Sequence, residues 1–100
     1  MIRHTVAFRL KHAAGSAEER DFLNAAKVLI EIPGVENFEA MKQVSAKNPF
    51  TFGFSMEFAS QVEYEFYNQH PDHVAFVNNR WIPEVEEFME IDYVLFDLGH

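Results

Sequence analysis

Phe88-Met89-Glu90-Ile91-Asp92-Tyr93-Val94-Leu95-Phe96-Asp97-Leu98 carries apolar side chains on both sides of an extended chain. Read with a period of two, Met89, Ile91, Tyr93 and Leu95 share one face, while Val94, Phe96 and Leu98 give apolar character to the other. A strand over 88–98 therefore needs cover from two directions, and the rest of the chain shows how much of that cover it supplies.

Working outward, a short segment around Trp81-Ile82-Pro83-Glu84 leads into this strand. Phe50, Phe52, Phe54, Met56 and Phe58 alternate with Thr51, Gly53, Ser55 and Glu57, the clearest strand in the sequence. Before it, residues 35–46 alternate more weakly, with Phe38, Ala40 and Val44 against Asn37, Glu39, Met41 and Gln43. Lys47-Asn48-Pro49 supplies turn chemistry between the two, which predicts a hairpin. Residues 2–11 form the remaining strand, with Ile2, His4, Val6, Phe8 and Leu10 on one side; His4 is the polar exception there. After a turn at Ala13-Ala14-Gly15, Ser16 with Glu19 makes a capping box, and apolar spacing continues a helix to about residue 31, where Pro33-Gly34 stops it. Ser60 with Glu63 starts a second helix, with Val62, Phe66, His70 and Val74 expected on its inner side.

Strand, helix, strand, strand, helix, strand is the order of an α+β, ferredoxin-like protomer, an antiparallel four-stranded sheet with both helices on one face. The other face then lies open. A second copy is the economical cover for its apolar side chains, so a homodimer through the open face is expected. Asp97 to His100 are expected to be loosely held.

Residues 1–100 read as one domain, with 48% hydrophobic and 24% charged residues, a balance that folds rather than stays disordered. Eight Lys and Arg against sixteen Asp and Glu give a net charge of −8, which argues against nucleic acid and anionic membrane as partners. Absence of cysteine rules out disulfide and thiolate chemistry. Met1-Ile2-Arg3-His4 shows no signal-peptide apolar region, and no run reaches the roughly 18–20 apolar residues of a membrane helix. The default location is the cytoplasm.

Tyr67-Asn68-Gln69-His70-Pro71-Asp72-His73-Val74-Ala75-Phe76 concentrates one phenol and two imidazoles. Residue 70 precedes proline and is biased away from helix, whereas Pro71 suits a first helical turn. The spacing predicts a helix ending near Gln69, a bend at His70-Pro71 and a new turn carrying His73, so that Tyr67 and His73 can meet. Three readings compete. A metal site lacks a recognised ligand pattern. A structural reading has His70 closing the bend on a backbone carbonyl, Tyr67 in the core and Tyr64 at the rim. An acid–base reading makes His73 a neutral base in an apolar pocket, with Tyr67 orienting it or polarising a carbonyl and His4 nearby on the first strand. No nucleophile elbow and no glycine-rich phosphate loop is present.

Over about residues 2–97 the sequence resembles the Dabb family, the stress-responsive dimeric α/β-barrel domain. The marks are His4 to Lys11, Ile32-Pro33-Gly34-Val35, His70 to Phe76, and Asp92-Tyr93. The resemblance implies two ferredoxin-like sheets facing each other in a dimeric α/β barrel, which agrees with the two-sided last strand. One plant branch consists of polyketide cyclases that perform an aldol cyclisation without cofactor or metal. Similarity to that branch puts the catalytic residues on Tyr67 and His73 and a pocket histidine on His4. It implies a pocket between sheet and helices, with His4, Val6, Phe8, Phe22, Leu23 and Phe76 as substrate-binding residues. Departures are Ala26, where the branch carries a larger aromatic, and a segment between Phe76 and Asp92 that is one residue longer. The expected function is binding of a small carbonyl-containing molecule, with a cofactor-free cyclase or lyase step using His73 as general base. The alternative is a non-catalytic stress-associated protein whose dimer or higher assembly is its function; a haem-degrading monooxygenase rests on fold analogy alone.

Overall fold

Alternation in the first strand sets the layers. In β1 (Ile2–Leu10), His4, Val6, Phe8 and Leu10 are buried, while the residues between them are more exposed. The computed structural model describes residues 1–99; His100, included in the expected domain and in the expected loose terminus, lies outside the described residues. After β1 come α1 (Ala17–Ala25), a 3₁₀ stretch (Ala26–Glu31), β2 (Glu36–Lys42), β3 (Phe52–Phe58) and α2 (Gln61–Gln69). There follow α3 (Pro71–Phe76), a π-helical turn (Val77–Trp81), α4 (Ile82–Glu84) and β4 (Val85–Tyr93). The sheet has the order β2-β3-β1-β4, antiparallel throughout. This is the ferredoxin-like α+β arrangement, with the helices on one face.

Local chemistry places the helices largely as their sequence reads. Ser16 caps α1 by accepting the Glu19 N–H, but the Glu19 carboxylate reaches back to the Gly15 N–H rather than to that of Ser16. Apolar spacing continues to Glu31, although its last six residues wind as 3₁₀. Gly34, at φ +95°, turns the chain out of this stretch. Phe8 anchors the core, with ring centroids 4.7 Å from Phe54, 5.0 Å from Trp81 and 5.9 Å from both Phe22 and Phe52. Such tilted aromatic pairs each add about 0.5–1.5 kcal/mol beyond area burial.

Three expectations are corrected. The last strand does not run over 88–98 but from Val85 to Tyr93, because Tyr93 pairs with Arg3 near the start of β1 and the described residues after it have no strand to bond. Val94, Leu95, Phe96 and Leu98 therefore lie past the sheet, exposed. The helix-facing side of β4 carries Phe88, Glu90 and Asp92, opposite Phe8, Val6 and His4, and the open face carries Met89, Ile91 and Tyr93. In α2 the inner side is not Val62 and Phe66, which are 72% and 51% exposed, but Tyr64 and Tyr67, roughly half a turn away. Val74 of α3 is also exposed. Finally, β2 is shorter than residues 35–46. Asn37 adopts a positive φ of 51° where the β2–β3 register slips, and Val44 lies beyond the paired segment.

Candidate functional site

The bend between α2 and α3 builds one side of the site. His70 leaves the helical region at ψ 135°, and its Nδ1 accepts the Asp72 N–H at 3.1 Å, so this imidazole caps α3. It closes the bend on a backbone N–H rather than on a carbonyl. Pro71 occupies the first turn, where its missing N–H costs nothing. The new helix carries His73 back over Tyr67, with ring centroids 4.4 Å apart. His73 Nδ1–H donates to the Asn68 carbonyl at 3.1 Å, which leaves Nε2 with its lone pair.

Both rings open onto a cavity of about 620 Å³ between the sheet and the α2–α4 segment. His4, Val6 and Phe76 line it too, so five of the eight residues expected at a site share one space. Phe8 and Phe22 do not line it: they are fully buried in the aromatic core, and Leu23 packs beside that core. The cavity lies toward β4 and the π turn, and of the first helical segment only Leu29 reaches its wall. A second set of polar groups meets at its floor. His4 Nδ1–H donates to Asp92 Oδ1 at 2.6 Å, the Tyr64 hydroxyl donates to Asp92 Oδ2 at 2.8 Å, and the same hydroxyl oxygen lies 2.9 Å from His4 Nδ1.

These surroundings fix protonation. Burial lowers the His73 pKa, an effect the Asn68 carbonyl and the Glu90 charge oppose, so the ring is neutral at neutral pH. Burial first, and the Glu90 charge second, push the Tyr67 phenol far up. Tyr64 is raised by burial and by its bond to Asp92. Both phenols remain O–H donors. Among the described residues, no three His, Asp or Glu side chains are placed to hold a metal ion, and no helix is long and apolar enough to cross a membrane.

The sequence model of the family described as Dabb, Stress responsive A/B Barrel Domain, matches residues 2–95. The chain belongs to the Dabb family. A Dabb family protein of ferredoxin-like fold from Mesorhizobium loti is 60% identical over 96% of this chain and 97% of that one, with a TM-score of 0.94. A stress-response A/B barrel domain-containing protein of Arabidopsis thaliana is 25% identical over 94% of this chain, which spans only 36% of that relative's length. Hydroxynitrile lyase from Passiflora edulis covers 99% of this chain and 96% of its own at 16% identity, with a TM-score of 0.84, a likeness of fold alone. Other solved neighbours, at 22% identity or less, are described as dimeric ferredoxin-like proteins.

Within this Dabb chain, single-sequence spacing set Tyr64 aside at the rim and missed Glu90, Trp81 and Phe88 at the cavity and Asp92 behind His4. Their signal lies in pairing. Once β1 and β4 are set antiparallel with His4 opposite Asp92, Glu90 and Phe88 fall on the same face by alternation. Tyr64 could be found from Tyr67, three residues away on one helix face.

Proposed function

We propose that this Dabb domain binds a small carbonyl compound in the cavity between sheet and helices and transfers a proton next to the carbonyl without a cofactor. The observation that carries the reading is His73, a cavity-lining residue held over Tyr67 at 4.4 Å with Nδ1–H bonded to Asn68, which leaves the lone pair on Nε2. His73 Nε2 takes the proton from the carbon beside the carbonyl. The C–H electron pair becomes the C=C bond of an enolate, and the carbonyl oxygen gains the negative charge. Tyr67, kept protonated, donates its O–H to that oxygen; a positioned base contributes about 10²–10⁴-fold. The enolate carbon then attacks a second carbonyl of the same molecule, a cyclase step, or expels a leaving group, a lyase step. Imidazolium returns the proton to the alkoxide or leaving group. His4, fixed by Asp92 and Tyr64, serves as a substrate hydrogen-bonding group, and Val6 and Phe76 supply apolar wall. The unit of function is a homodimer joined through the open face of the sheet, a reading supported by the dimeric neighbours.

Deuterium uptake at the α-carbon of a panel of aryl methyl ketones, followed by proton NMR at neutral pH, tests this. The wild type should exchange faster than buffer. His73→Ala should fall to the buffer rate, and Tyr67→Phe should lose about 10²-fold or more. Wild-type exchange no faster than buffer, or unchanged exchange in His73→Ala, overturns the reading.

A further inference from the structure

Glu90 is the charged group on the cavity wall that proton transfer leaves unused. It sits on the helix-facing side of β4, opposite Val6, exposed in the protomer, and its carboxylate makes no hydrogen bond or ion pair among the described residues. Neither lysine nor arginine lines the cavity among those residues, so no counter-cation there balances this carboxylate. Beside it the wall is aromatic: Phe88, its neighbour on the same strand face, meets Trp81 edge-to-face with centroids 5.5 Å apart, and Tyr64 and Tyr67 continue the surface. Its charge is felt by both phenols and by His73. A cavity wall that combines an unpartnered carboxylate with aromatic rings attracts a cation twice, through the charge and through the rings' negative faces. It repels an anion that has nothing else to bind.

We propose that Glu90 sets the specificity of the cavity, selecting a compact, mainly apolar ligand with an ammonium or other hydrogen-bond-donating end, and rejecting carboxylates and phosphates. The proposal rests on reading the cavity as the ligand site and names the class of carbonyl compound that fits it. Rejection by like charge is as much a part of selectivity as attraction.

Trp81 is the single tryptophan of the chain and lines the cavity, so its fluorescence reports occupancy. The full chain and Glu90→Gln would be titrated at neutral pH with three probes of one shape: cyclohexylmethylamine, cyclohexylmethanol and cyclohexanecarboxylate. The wild type should bind the amine about tenfold or more tightly than the carboxylate. In Glu90→Gln that preference should largely vanish while affinity for the alcohol is kept. A carboxylate that binds the wild type as tightly as the amine overturns the proposal, as does a preference that survives in Glu90→Gln. Alcohol binding in either case leaves the cavity reading standing. If none of the three probes moves Trp81 emission in either protein, the cavity reading fails and the proposal falls with it.

Discussion

A backbone carbonyl decides which nitrogen of His73 is available. With Nδ1–H given to Asn68, the lone pair stays on Nε2, and burial keeps it unprotonated at neutral pH. Since the folded pKa lies below the unfolded value of about 6.5, the unfolded chain takes up this proton first as pH falls. His73 therefore lowers stability on acidification below about pH 6.5 and contributes no pH dependence well above it. Urea denaturation at a series of pH values should show a smaller loss of stability between neutral and mildly acidic pH in His73→Gln than in the wild type. Equal slopes would mean that the ring is solvated. Tyr67 and His73 were legible in the sequence because a proline bend has predictable geometry: the residue before it leaves the helix, and the next turn folds back. Tyr64 and Asp92 were not, since their meeting with His4 depends on strand register and helix phase, which no local run of residues sets.

Between α3 and α4 the helix widens into a π turn, where the Ile82 N–H bonds to the Val77 carbonyl five residues back. Pro83 accounts for this. In an α-helix its ring would collide with the carbonyl of Asn79, four residues earlier, and it has no N–H to offer. The wider turn relieves the clash, and Val77, Trp81 and Ile82 all reach the cavity from it. Proline at that position was a visible breaker. Its outcome was not, because a break, a kink and a π turn all answer the same collision. Replacing it frees the turn to tighten. The π turn already relieves most of the clash, so removing Pro83 recovers only part of the roughly 3 kcal/mol that a helix-interior proline costs, while the freer unfolded chain costs about 0.4–1 kcal/mol. Pro83→Ala is thus expected to stay within about 1 kcal/mol of the wild type in urea, with altered Trp81 emission as the turn tightens and the ring moves. Unchanged Trp81 emission would assign the π turn to packing instead.

Across the whole molecule, the open face of the sheet is where the chain is least self-sufficient. Strand register lays Met41, Gly53, Ala7 and Met89 in one row from edge to edge, with Ile91 and Tyr93 further along β4. Small residues at the centre and large ones at the rims make this row a shallow apolar trough, flanked by the ion pairs Arg3–Glu57 and Arg9–Glu87. The fold class was legible because alternation and element order survive small errors in strand ends. The open face follows from element order; Val94, Phe96 and Leu98, expected to make a face apolar, lie past β4, and Met41, Met89, Ile91 and Tyr93 supply the demand for cover. In a two-fold dimer each face meets its own copy, so one substitution acts twice. Met89 is 53% exposed in the protomer, which makes Met89→Asp cheap for folding. At a dimer interface it would bury an unpaired charge, a penalty of about 3 kcal/mol or more per site. Sedimentation velocity should therefore find the wild type as a dimer and Met89→Asp as a monomer at the same concentration, with unchanged far-ultraviolet circular dichroism. A Met89→Asp protein that still sediments as a dimer would move the interface off this face, and the apolar residues past β4 would be the next place to look for it.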